Sequence, residues 1–231
     1  MLANSVILIL REVLEAVVLV SVLLALSRAL GQRLHWAWWP LLLALPGSIG
    51  FAASMEGLTD ALDGAGQEVA NASLQVLVFA GAVAVVFLEG IWPRGRWSIL
   101  RGVMIFTVTL ALVREGSEIW LYVSGFAAAA DLRASVLTGS AIGAGIGISL
   151  GVLLYSALRA LPASRQRPAC LLLLALIGAG MVMQATMLLE QVDWLEAGQP
   201  LWDSAFIVAE SSISGELLYA VFGYEATPGL S

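Results

Sequence analysis

Residues 4–26 read NSVILILREVLEAVVLVSVLLAL, and residues 99–123 read ILRGVMIFTVTLALVREGSEIWLYV. Each run is long enough for a helix to cross a bilayer, which takes about 20 apolar residues. Each also carries the same charged pentad. It is Arg11-Glu12-Val13-Leu14-Glu15 in the first run and Arg114-Glu115-Gly116-Ser117-Glu118 in the second. A charge at the centre of a bilayer costs about 2.5–3.5 kcal/mol, so six of them cost on the order of 15–20 kcal/mol before pairing. Such groups are tolerated where they face one another and handle a charged substrate.

The rest of the chain agrees with a membrane setting. Of 231 residues, 60% are hydrophobic and only 12% charged, which excludes an ordinary soluble domain. The net charge of -6 and the absence of any basic cluster exclude nucleic-acid binding. One cysteine, Cys170, leaves no internal disulfide, and one histidine, His35, leaves no bis-histidine haem. There is no lysine for a retinal Schiff base. The first apolar run has no basic flank and no small-residue cleavage site, so it is expected to be a retained helix.

Seven apolar stretches are expected to be membrane helices: 4–26, 37–57, 70–92, 99–123, 136–158, 169–190 and 202–224. The chain is thus expected to be one all-α membrane domain over 1–231. Arg28, Arg33, Arg94, Arg96, Arg101, Arg159, Arg165 and Arg167 fall at alternate connections, and the opposite connections hold only Arg133. Positive charge marks the cytoplasmic side, which predicts an external N-terminus, a cytoplasmic C-terminus and an acidic outer face.

The first and fourth helices then run in opposite directions, each with its pentad. The third and sixth end alike, at Phe87-Leu88-Glu89 and Leu188-Leu189-Glu190. This predicts a 3+3 inverted repeat, about 1–93 and 98–191, with a seventh helix appended. Gly139, Gly143, Gly147 and Gly151 make one smooth helix face for close packing. Trp36, Trp38, Trp39, Trp92, Trp97, Trp194 and Trp202 read as an interfacial belt.

Glu12 and Glu15 share a helix face, as do Glu115 and Glu118, and each second glutamate lies four residues from its arginine. Two such helices face to face assemble four carboxylates and two guanidiniums. Carboxylates suit hard cations, which leaves Ca, Mg, Mn and iron as substrates. Arg11 and Arg114 serve as counter-charges for the unloaded site, and a purely structural pair of helix clamps is the competing reading. Glu210, inside the seventh stretch, is a candidate to line the path, with Asp203 at the outer start of that stretch. Glu56, Glu89 and Glu190 lie near helix ends, where they are expected to reach water. Met181, Met183 and Met187 read as packing residues rather than soft ligands.

The paired pentads in the first and fourth helices resemble those of the oxidase-dependent iron permeases. That family includes fungal high-affinity permeases and bacterial Efe-type and Ftr-type permeases. The C-terminal stretches Leu201-Trp202-Asp203-Ser204, Ser214-Gly215-Glu216-Leu217-Leu218 and Gly223-Tyr224 are also similar to it. Its usual motif is Arg-Glu-Gly-Leu-Glu; Val13 and Ser117 depart from that form, and Val13 predicts a looser backbone approach at the first helix. The resemblance implies import of iron, as Fe3+ or Fe2+, across a bacterial cytoplasmic membrane. It implies no permanently bound cofactor, and a separate ferroxidase or periplasmic iron-binding partner. The alternatives from the residues are a proton-coupled carrier of another hard divalent cation and a non-transporting subunit of an iron-oxidising complex.

Overall fold

The computed structural model describes residues 1–91, 97–196, 198, 202–209, 212, 215, 218–219 and 223–228. Among them are six α-helices: α1 (Leu2–Ala29), α2 (Trp38–Ala61), α3 (Gly66–Ile91), α4 (Trp97–Ala127), α5 (Ala130–Ala160) and α6 (Ala163–Gln191). A 3-10 turn, Leu34–Ala37, leads into α2. Helices α3 to α6, and α2 taken with its leading turn, are long and apolar enough to cross a membrane. Helix α1 is equally long but carries Arg11, Glu12 and Glu15, and it is protected differently. Fourteen of its 28 residues are buried inside the bundle, among them all of Leu19, Val22, Leu23 and Leu26. Protein rather than lipid surrounds the charged helix, as the cost of bare charge in hydrocarbon requires.

The two motif helices are antiparallel. Ser5 on α1 meets Tyr122 on α4, Glu15 meets Arg114, and Ser27 meets Met104. Helix α3 is antiparallel to α6, with Gln75 against Gln184 and Glu89 against Arg167. The most extensive packing pairs α1 with α5, α2 with α4, and α3 with α6. Helices α2 and α5 lie on the outside, where Leu41, Leu42 and Leu45 of α2, and Ile148, Val152 and Leu153 of α5, are exposed.

Glycine decides how closely these pairs approach. A side chain at Gly139 or Gly143 would strike the α1 backbone near Leu2, Val6 and Leu10. Gly147 receives Val13, the residue that departs from the usual motif glycine. In the other motif, Gly116 is kept and receives Ser48 of α2. The space absent from the first motif helix is therefore present on its partner, where Gly147 leaves room for Val13.

Three expectations need correction. The stretch 202–224 is not one continuous helix, because the described residues 202–209 are irregular. Asp203 accepts the Ala205 N–H, and Ser204 bonds the Ala226 carbonyl, so polar groups of the chain itself turn the backbone. Trp36 is buried rather than interfacial, since the 3-10 turn tucks it beneath α1, where its indole N–H donates to Ser27. Glu89 does not reach water: it is buried at the end of α3 and paired with Arg167 of α6. Trp92, Arg94, Arg96 and Glu210 lie outside the described residues.

Candidate metal centre

The crossing of α1 and α4 brings both pentads to one level. Glu12 is ten residues into α1, about 15 Å along it at 1.5 Å per residue. Arg114 and Glu115 lie well inside α4. Glu12, Glu15, Arg114 and Glu115 are all buried.

Arg114 is the electrostatic hub. Its Nη1 is 2.9 Å from Glu15 Oε2 and 2.5 Å from Glu115 Oε1, and its Nη2 is 3.5 Å from Glu118 Oε1. Arg11 is the more peripheral cation, with a side chain 40% exposed against 7% for Arg114. It lies 3.4 Å from Glu15 Oε1 and stacks over the Tyr219 ring at 5.0 Å. Glu15 thus bonds both arginines, one with each oxygen.

The other three glutamates converge. Glu12, Glu115 and Glu118 each offer a carboxylate oxygen, and these oxygens all lie within 4.8 Å of one another. Three oxygens at about 2.1 Å from one hard ion lie roughly 3–3.6 Å from one another, so the carboxylates close in when they take up an ion. Glu12 Oε2 and Glu115 Oε2 have no hydrogen-bond donor among the described residues. Buried carboxylate oxygens without donors carry a high desolvation cost that a cation relieves.

A cavity of about 390 Å³ leads to this cluster. Gln67, Glu68, Asn71 and Gln75 of α3 line one side, and Gln184 and Gln191 of α6 line another. Arg11, Arg114, Glu118 and Tyr219 complete the lining. Glu118 belongs to both cavity and cluster, and the Asn71 amide holds its Oε1 at 3.2 Å.

Residues 1–231 match the family model of the iron permease FTR1 family. The chain belongs to that family. No curated protein and no solved structure matches it. The chain is accordingly an integral membrane transporter, not an enzyme, and iron is the cargo the family implies.

In this permease Asp203 is exposed in its turn and does not line the cavity. Met181 packs in the apolar core, and His35 is exposed. Gln75, Gln184 and Tyr219 were missed by sequence reasoning. The usable signal was a pair of amides, Gln75 and Gln184, within otherwise apolar stretches.

Proposed function

We propose that this permease imports iron through an intramembrane site formed by Glu12, Glu115 and Glu118. Glu15 holds Arg11 and Arg114 in the unloaded state and becomes available as a fourth ligand when an arginine swings away. The observation that carries this reading is the convergence of three carboxylate oxygens from two motifs within 4.8 Å. Four carboxylates and two guanidiniums sum to -2, which favours a multivalent cation over a structural clamp.

The cavity lies between the start of α3 and the end of α6. With the N-terminus outside, as the arginine distribution suggests, it opens to the exterior of a bacterial cytoplasmic membrane. A 3+3 inverted repeat, α1–α3 and α4–α6, accounts for the packing of α5 on α1 and of α2 on α4, since the second helix of each half grips the first of the other. A separate ferroxidase or periplasmic iron-binding protein would deliver the ion to that face.

The test is uptake by proteoliposomes holding the full chain alone, supplied with Fe2+ under reducing conditions or with chelated Fe3+. Wild type is expected to accumulate iron, and Glu12→Gln and Glu115→Gln are expected to fall to the empty-liposome rate. The expected loss exceeds the roughly 10–100-fold typical of an outer-shell change at a metal site. Wild-type rates in both variants would reject the site. Absence of wild-type flux would favour the non-transporting subunit.

A further inference from the structure

The cavity occupies one end of the seam between α3 and α6, and the helix faces that line it continue away from it. On α3 the face runs from Gln75 through Val78, Ala82 and Val85 to Glu89, in steps of three and four residues. On α6 it runs from Gln184 through Ile177, Leu174 and Cys170 to Arg167, at the same helical spacing. Gln75 and Gln184 line the cavity and bond each other. The far ends of the two rows are joined as well. Arg167 Nε pairs with the Glu89 carboxylate, and Arg167 Nη2 donates to the Glu89 carbonyl at 3.2 Å.

Between these two ends the seam is dry. Val78, Ala82 and Val85 are at most 2% exposed, and Cys170, Leu174 and Ile177 at most 4%. The fit is tight, because a side chain added at Gly178 of α6 would meet Phe79 of α3 at 3.2 Å. The seam belongs to the apolar core that α1 and α4 share. From Gln75 to Glu89 it extends about 21 Å, at 1.5 Å per helical residue. A hard cation does not cross such a length of hydrocarbon without oxygen ligands or water. An ion that leaves the glutamates away from the cavity therefore needs the seam to part.

The pair at the far end is asymmetric. The Glu89 side chain is 2% exposed and that of Arg167 51%. The arginine, early in α6, covers the carboxylate from the water side and can swing away without being stripped of water. A partly exposed pair of this kind is easily released. As a plain clamp it is a poor choice, since a buried carboxylate carries a desolvation cost that an apolar contact avoids. Its position suits a gate, because it closes the seam whose other end opens on the cavity. It also ties the last turn of α3 to α6 through side chain and main chain together. We propose that Glu89 and Arg167 form the inner latch of the transport path. Closed, the latch holds α3 against α6 while the cavity is open. Released, it lets the helix ends part and the seam hydrate from the opposite face. This rests on the reading of Glu12, Glu115 and Glu118 as the transport site, and it names what controls the second exit from that site.

Native Cys170 can report the latch, because it lies one turn from Arg167 on the same face and is fully buried. The full chain in lipid nanodiscs, without iron, is treated with a cationic, water-soluble methanethiosulfonate, and modification is timed by mass spectrometry. A Leu188→Cys substitution supplies a second, separately mapped thiol in the cavity wall. Arg167→Gln is expected to raise the rate at Cys170 roughly fivefold, the population shift expected from losing one partly exposed ion pair. It is also expected to slow the rate at position 188, as the cavity closes when the opposite face opens. An unchanged rate at Cys170 would overturn the latch. So would a rate at position 188 that fails to fall, the mark of a clamp whose loss merely loosens the bundle. If Arg167→Gln does not fold, Arg167→Lys is read in the same way, since a lysine keeps the charge but cannot grip carboxylate and carbonyl together. The labelling needs no ion, so it decides the latch whether or not Glu12→Gln and Glu115→Gln abolish uptake.

Discussion

Arg11 and Arg114 occupy equal places in the two motifs and unequal places in space. Arg114 is buried and shared among Glu15, Glu115 and Glu118, whereas Arg11 is at the cavity edge against Glu15 and Tyr219. A planar guanidinium can serve several carboxylates at once, and a lysine ammonium is a point charge. Arg114→Lys is therefore expected to lose most iron uptake while reaching the membrane, and Arg11→Lys to keep a larger share. Transport assays normalised to protein in the membrane check this, and equal losses would mean that exposure does not matter. Replacing Arg114 with Leu should also destabilise the fold, by about 3–5 kcal/mol, as for a broken buried pair. The charged residues themselves were legible in the sequence, because charge inside an apolar run is conspicuous. Their division of labour was not. Helical spacing says which side chains share a face, but only the α1–α4 crossing brings Arg114 to Glu15 and so gives Glu15 both arginines.

Among the elements, α5 and α2 are the outer grips on the motif helices. Adding a side chain at Gly143 forces α5 off the α1 backbone at Val6 and Leu10. Gly143→Val is expected to destabilise by about 1–3 kcal/mol, the usual cost of overpacking. Gly145 lies on the same helix and faces open space. Gly145→Ala should be neutral or stabilising by up to about 1 kcal/mol, because alanine is the better helix former. Thermal unfolding of the two variants in one detergent checks the contrast, and equal stabilities would contradict the packing. The stripe on α5 was readable from its four-residue period, though its partner was not. The departure at Val13 could be understood only after Gly147 was found opposite it. The segment after α6 misled for a related reason. Its apolar composition resembles a membrane helix, but Asp203 bonds the nearby Ala205 N–H and Ser204 bonds the Ala226 carbonyl 22 residues on, and residues 202–209 are irregular.

For the whole molecule, the alternating arginines predict an external N-terminus. Ser164 is exposed at the start of α6, on the side rich in arginine. Ser164→Cys is expected to react with a membrane-impermeant maleimide only after the cytoplasmic face is opened, in a chain whose native Cys170 is buried. Labelling in intact cells would reverse the orientation and place the cavity inside. Fold class and helix order were legible because the bilayer demands long apolar helices, while Trp36 and Glu89 were misplaced because burial at a helix end depends on neighbours distant in sequence. The central claim is that iron sits between the two motifs. Anomalous diffraction at the iron edge, from crystals of the full chain grown with iron, tests it most directly. The predicted result is one strong peak enclosed by Glu12, Glu115 and Glu118. A peak elsewhere, with none between those three carboxylates, would contradict it.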